Sequence, residues 1–212
     1  MTDVPADDEW LGAAERVTLA CLRIPKRRAD WRLGRWTAKR AVSRYIASTA
    51  EEVEPRRIEI LAAESGAPQA FVDGRAAPVV ISLSHSAGRA LCAVAPAGVA
   101  LGCDIEVVEP RHPAFVADYF TAEEQALIAG AMSPDEHAQR TTILWCAKES
   151  ALKALQEGLR ANTRSVVVTP QQLRNDPDWQ PLAIDHPAGD RRLRGWWRRD
   201  GRWVLTVVSS DE

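Results

Sequence analysis

Two stretches restrict this chain more than any others: Gly102-Cys-Asp-Ile-Glu106 and Trp145-Cys-Ala-Lys-Glu-Ser-Ala-Leu-Lys153. Alternation in the first predicts a strand with Asp104 and Glu106 on one face, because successive strand side chains point to opposite sides. In the second, Trp145, Glu149 and Lys153 recur at steps of four, which on a helix is one face. A chain holding both must mix strands with helices. If the two faces converge, three carboxylates and a lysine form a hard-cation site beside a phosphate, an arrangement suited to phosphoryl chemistry.

The rest of the chain reads as α+β. The segment from Leu11 to Leu22 is a helix or a strand. Ala29 to Ala50 is helical in pattern, with Trp31, Ala38, Ala41, Val42 and Tyr45 on one side and Arg28, Arg32, Arg35 and Lys39 beside them. Pro55 stops it. Ile58–Leu61 and Val79–His85 read as strands, with turn chemistry at Ser65-Gly-Ala-Pro68 and Val72-Asp-Gly-Arg75. The apolar run Ala90 to Cys103 reads as a hairpin turning at Pro96-Ala97-Gly98. Thr121 and Glu124 have capping-box spacing. A long helix is expected from about Glu136 to Glu157, stopped by Gly158. Strands then follow at 165–169 and 180–184, with a hairpin from Leu193 to Val208 turning at Asp200-Gly201. No internal sequence repeat is visible.

Composition narrows the function classes. The chain has 212 residues, enough for one domain or two small ones, and a formal net charge of −2 that argues against general nucleic-acid binding. Its four cysteines form no C-x-x-C pair and sit among apolar neighbours, as buried thiols in a reducing cytosol do. The acidic start lacks the basic and apolar regions of a signal peptide, and no apolar run is long enough to span a bilayer. A soluble cytoplasmic protein is expected.

Taken singly, the site residues have ordinary explanations. Asp-x-Glu is what a half-buried strand shows to water, and Glu149 four residues before Lys153 is a common helix-stabilising pair. The arginine stripe alone is a solvated helix face. What adds weight is Ser82-Leu-Ser-His85-Ser86 at a strand end, where hydroxyls and an imidazole can meet a phosphate.

Taken together, G-C-D-I-E, F-T-A-E-E and W-C-A-K-E-S-A-L-K, in that order and spacing, resemble the signature of 4′-phosphopantetheinyl transferases. S-L-S-H-S and R-R-A-D-W-R-L-G-R-W-T-A-K upstream are similar to that family's longer, Sfp-type branch. The resemblance runs from about Arg23 to Leu159. It implies two similar α+β halves related by a pseudo-two-fold axis, residues 1–108 and 109–212, with the active site in the cleft between them. It also implies a monomer that transfers the phosphopantetheine arm of coenzyme A to a serine of an acyl or peptidyl carrier protein, in pathways such as secondary metabolite biosynthesis. Adenosine 3′,5′-bisphosphate is the second product. By the same resemblance, Asp104, Glu106 and Glu149 are magnesium ligands, Glu149 is also the general base, and Lys153 contacts phosphate. Coenzyme A contacts are expected from Lys26, Arg27, Arg28, Arg35, Ser84, His85, Lys148 and Lys153. The carrier is expected to meet the segment from Phe115 to Leu127.

One position departs from the pattern: Ala67, in Gly66-Ala67-Pro68, stands where many long-branch members carry a basic residue. Arg75 is a candidate substitute. Two other readings stay open: a coenzyme A- or nucleotide-binding protein of the same fold without catalysis, and a metal-dependent phosphohydrolase acting on a nucleotide.

Overall fold

Local backbone chemistry sets most element boundaries in the computed structural model, which describes residues 4–48, 51–156, 162–171, 173, 178–186 and 192–210. The chain divides into two compact units, Met1–Gly98 and Val99–Glu212. Among the described residues no helix is long and apolar enough to cross a membrane.

In the first unit, helix α1 spans Ala13–Cys21, which settles the ambiguous segment, and α2 spans Pro25–Ala47. Proline at the first helical position costs α2 no hydrogen bond and presets its φ. The strands are β1 (Ile58–Ala62), β2 (Pro68–Val72), β3 (Arg75–Ala76), β4 (Val79–Ser86) and β5 (Arg89–Pro96). They form a three-stranded sheet in the order β1-β2-β3 and a separate β4-β5 hairpin. That hairpin turns at Ala87-Gly88, both at positive φ (47° and 78°), the two-residue geometry that matches strand twist. Ala38 and Val42 of α2 pack with Ile58, Ile60, Ala70 and Ile81 to make the core.

In the second unit, strands β6 (Leu101–Val107), β7 (Val167–Pro170), β8 (Gln180–Asp185), β9 (Leu193–Asp200) and β10 (Trp203–Ser210) form one antiparallel sheet in the order β6-β10-β9-β8-β7. Helices α3 (Pro113–Tyr119), α4 (Ala122–Ala129) and α5 (Pro134–Ala154) complete it. The Thr121–Glu124 capping box forms as expected: Thr121 N donates to Glu124 Oε2 at 2.9 Å, and Glu124 N donates to Thr121 Oγ1 at 3.4 Å. Helix α5 packs across β6 and β10 over a core that includes Ile143, Leu144, Leu152, Trp197 and Val204. The stop expected at Gly158 lies outside the described residues.

The hairpin expected between Ala90 and Cys103 does not form. Strand β5 is already paired through its tight turn to β4, while β6 pairs with β10 at the far end of the chain, Asp104 opposite Thr206 and Glu106 opposite Val204. The unit boundary accordingly falls before β6, whereas the sequence reading placed it after that strand.

A repeat that the sequence does not show by eye emerges in the buried polar groups. In the first unit, Glu15 Oε2 accepts from Gly12 N at 3.0 Å and pairs with Lys39 Nζ at 2.5 Å, while Oε1 accepts from Ile60 N at 2.9 Å. In the second unit, Glu124 Oε2 pairs with Lys148 Nζ at 2.9 Å, and Oε1 accepts from Val168 N at 2.8 Å. Each lysine also donates to two backbone carbonyls, those of Trp10 and Pro55 for Lys39 and those of Thr163 and Val166 for Lys148. All four side chains are fully buried. The same number of residues separates the carboxylate from the lysine in both units, and a tryptophan, Trp36 or Trp145, stands one turn before each lysine.

Candidate active site

Strand β6 and helix α5 approach each other at a glycine. A Cβ on Gly102 would fall 1.8 Å from the Ser150 carbonyl oxygen and 2.8 Å from Ala154 N, so only glycine admits the helix backbone here. The contact is tied from the sheet side by Thr206, whose Oγ1 lies 2.6 Å from Ser150 Oγ and donates to the Cys146 carbonyl at 2.9 Å. Lys153 therefore reaches β6, donating to Asp104 Oδ1 at 2.8 Å and to the Cys103 carbonyl at 3.0 Å.

Asp104 is buried, and Glu149 is buried one turn of α5 before Lys153. Burial, then the charges of Asp104 and Glu106, push the Glu149 carboxyl up to about 7, against an opposing pull from Lys153. Its Oε1 accepts no hydrogen bond among the described residues. Lys153 shows the reverse balance: burial disfavours its charge, but Asp104, with smaller pulls from Cys103 and Cys146, more than offsets this and its pKa is raised. Glu106, half-buried, lies 3.5 Å from Arg111, which also reaches Glu109 at 3.3 Å and sits over the Phe115 ring.

Asp104, Glu106 and Glu149 offer only carboxylate oxygens, the donors that magnesium takes. The orphaned Glu149 Oε1, and burial reinforced by repulsion from Asp104 and Glu106 that raises the Glu149 pKa, fit a cation at this place. As the side chains stand, no three His, Cys, Asp or Glu groups among the described residues converge on an ion. Asp104 is turned onto Lys153 and Glu106 toward Arg111.

The first unit holds a pocket of about 410 Å³ whose lining includes Arg27, Asp30, Trp31, Arg35 and His85. Arg35 lies over the Trp31 ring at 4.8 Å. Burial pushes its pKa down, against the pull of Glu15, and its Nε finds no hydrogen-bond acceptor among the described residues. Gly34 lets α2 close on Leu83, also in the lining, since a Cβ there would come within 3.2 Å of Leu83 Cδ2. Gly66 and Pro68 form part of the wall. Ala67 and the exposed Arg75 are not in the lining.

The expected site residues thus divide. Asp104, Glu106, Glu149 and Lys153 form one acidic and basic group on β6 and α5, and Arg27, Arg35 and His85 share one pocket. Ser84 neighbours His85 on β4, and strand alternation points the two side chains to opposite faces. Lys26 is exposed and pairs with Asp30 at 2.7 Å, and Arg28 donates to the Leu19 and Leu22 carbonyls. Lys148, expected among the coenzyme A contacts, is instead fully buried against Glu124 and two carbonyls. Two residues escaped the sequence reading as site members. Trp31 precedes Arg35 by one helical turn, a legible spacing, whereas nothing local marks Arg111.

Residues 100–208, just over half of the chain, match the 4′-phosphopantetheinyl transferase superfamily, and the chain belongs to that family. It is 29% identical over 144 residues to the L-aminoadipate-semialdehyde dehydrogenase-phosphopantetheinyl transferase of Schizosaccharomyces pombe, a match covering 60% of this chain and 54% of that protein. It is 28% identical over 157 residues to the 4′-phosphopantetheinyl transferase HetI of a Nostoc species, covering 71% of this chain and 65% of that one. The chain thus spans between half and two-thirds of the length of these curated relatives. Among solved structures, holo-[acyl-carrier-protein] synthase from Neisseria meningitidis is similar with a TM-score of 0.41 and 20% identity, over 53% of this chain and 97% of that one.

Proposed function

We propose that this chain transfers the 4′-phosphopantetheine arm of coenzyme A to a serine of an apo carrier protein, as a monomer of the family's longer branch. The observation that carries the reading is Glu149: a buried carboxyl with a pKa of about 7, held beside Asp104, Glu106 and Lys153 on an α5 that only Gly102 lets so close.

A serine hydroxyl is a weak nucleophile at neutral pH and gains from a base whose pKa lies near the working pH. In the proposed step the hydroxyl oxygen attacks the phosphorus nearest the pantetheine, and its proton passes to the Glu149 carboxylate. The new oxygen–phosphorus bond forms as the bond to the bridging oxygen breaks, and adenosine 3′,5′-bisphosphate leaves with that electron pair. Lys153, held charged by Asp104, faces the negative charge that grows on the departing phosphate. Asp104, Glu106 and Glu149 would hold magnesium, which would supply positive charge against that of the diphosphate. In the first unit, Arg27, Arg35 and His85 suit the 3′-phosphate, and the Trp31 face suits the adenine.

The test is incubation with magnesium, coenzyme A and a panel of apo carrier proteins, read by intact mass. A carrier that gains one phosphopantetheine group supports the reading. Coenzyme A binding with no mass gain on any carrier overturns it in favour of a binding protein, and release of adenosine bisphosphate without carrier points to a hydrolase.

A further inference from the structure

We infer that Lys148 is a positioning residue for Glu149, because its buried pairing with Glu124 sets the rotation of α5 that turns Glu149 toward Asp104 and Glu106. The inference rests on the reading of Glu149 as the reacting carboxylate. Adjacent side chains on a helix diverge by about 100°, so the azimuth of residue 148 dictates that of residue 149. Glu149 Oε1 has no hydrogen bond among the described residues to hold it. Lys148, in contrast, is fixed by Glu124 Oε2 at 2.9 Å and by the carbonyls of Thr163 at 2.8 Å and Val166 at 2.5 Å. Glu124 is in turn fixed by the backbone N–H groups of Thr121 and Val168. This directional lock grips one flank of α5, while Gly102 and the Lys153–Asp104 pair grip another.

The first unit carries the same lock on α2, through Glu15 and Lys39, and there the next residue is Arg40. The device is therefore independent of the carboxylate that follows it in the second unit. In both units it phases the helix that bears the functional side chains, Arg27, Trp31 and Arg35 on α2 and Glu149 and Lys153 on α5.

Both Glu–Lys pairs also satisfy buried backbone N–H and C=O groups, so removing either one orphans comparable groups, and the comparison between the two units separates positioning from mere support. The full chain is compared with two double variants, Glu124→Leu/Lys148→Met and Glu15→Leu/Lys39→Met. The measurements are urea stability, the rise in Tm caused by magnesium alone, and kcat and KM on an apo carrier. Both variants are expected to lose stability to a similar extent, and the second-unit variant is also expected to lose about 10-fold or more in kcat while holding its coenzyme A KM within about 3-fold. The first-unit variant is expected to raise that KM and keep kcat within about 2-fold. Equal kcat losses in both, or a second-unit variant as active as the parent, overturn the inference. Should the doubles not fold, Lys148→Arg and Lys39→Arg keep the buried charges paired and carry the same comparison. A parent that modifies no carrier refutes the functional reading alone. The Tm rise caused by magnesium alone, which needs Glu149 turned toward Asp104 and Glu106, then decides the clamp: its loss in the second-unit variant only supports it, and retention in both counts against it.

Discussion

Gly102 faces Ser150 so closely that a Cβ would overlap the serine carbonyl oxygen at 1.8 Å. Relief requires the backbone of α5 to move, since the obstructing atoms are main chain. Gly102→Ala is expected to destabilise the protein by about 3 kcal/mol, the upper end of typical overpacking costs, and to lower kcat by separating Lys153 from Asp104. Urea denaturation and steady-state kinetics check it. A variant with parental stability would show that α5 does not seat on β6 in this way.

The raised pKa of Glu149 predicts a pH-dependent stability difference. A carboxyl whose folded pKa lies above its ordinary 4.5 binds its proton more tightly when folded. Its ionisation therefore costs stability progressively from about pH 4.5 to about pH 7, and no further above. Glu149→Gln removes that cost. With chelator present, the variant should match the parent near pH 4 and exceed it at pH 8 by on the order of 1–2 kcal/mol, after allowance for partial solvent screening. A difference independent of pH contradicts the assigned environment.

Lys153 serves both Asp104 and the reaction. Lys153→Met leaves the buried Asp104 carboxylate without its cation, and a loss of about 2 kcal/mol is expected in the metal-free protein. Adding Asp104→Asn should restore stability, but turnover should lie about 10-fold or more below that of Asp104→Asn alone, which already lacks a proposed magnesium ligand. A double variant that turns over as fast as Asp104→Asn alone would remove Lys153 from the chemistry.

The pocket of the first unit predicts selectivity for the 3′-phosphate. His85→Ala is expected to weaken coenzyme A binding about 10-fold and to leave dephospho-coenzyme A nearly unchanged, as measured by calorimetry. Equal weakening of both ligands would assign His85 to another part of the molecule.

Legibility in the sequence followed the range of the interactions. The Thr121–Glu124 box was readable because both partners lie within one turn and both carry side-chain oxygens. Its counterpart at Gly12 and Glu15 was hidden, since the glycine contributes only a backbone N–H. That Asp104 and Glu106 share one face of a strand, and Glu149 and Lys153 one face of a helix, was readable from strand and helix periods, which encode faces directly; their roles came only from the family resemblance. The burial of Lys148 was not, because its partner belongs to a different helix and its other acceptors are backbone carbonyls. The β6–β10 pairing joins segments nearly a whole unit apart, so the local turn signal at Pro96-Ala97-Gly98 misled. Arg111 stands beyond a strand end, where no periodicity marks it.

The central claim is tested most directly by single-turnover transfer from coenzyme A to a competent apo carrier, comparing the parent with Glu149→Gln. Holo carrier is read by intact mass, and coenzyme A affinity is measured in parallel. Transfer is expected to be at least about 100-fold slower in the variant, with coenzyme A bound within a few-fold of the parent. Transfer at the parental rate by Glu149→Gln would contradict that claim.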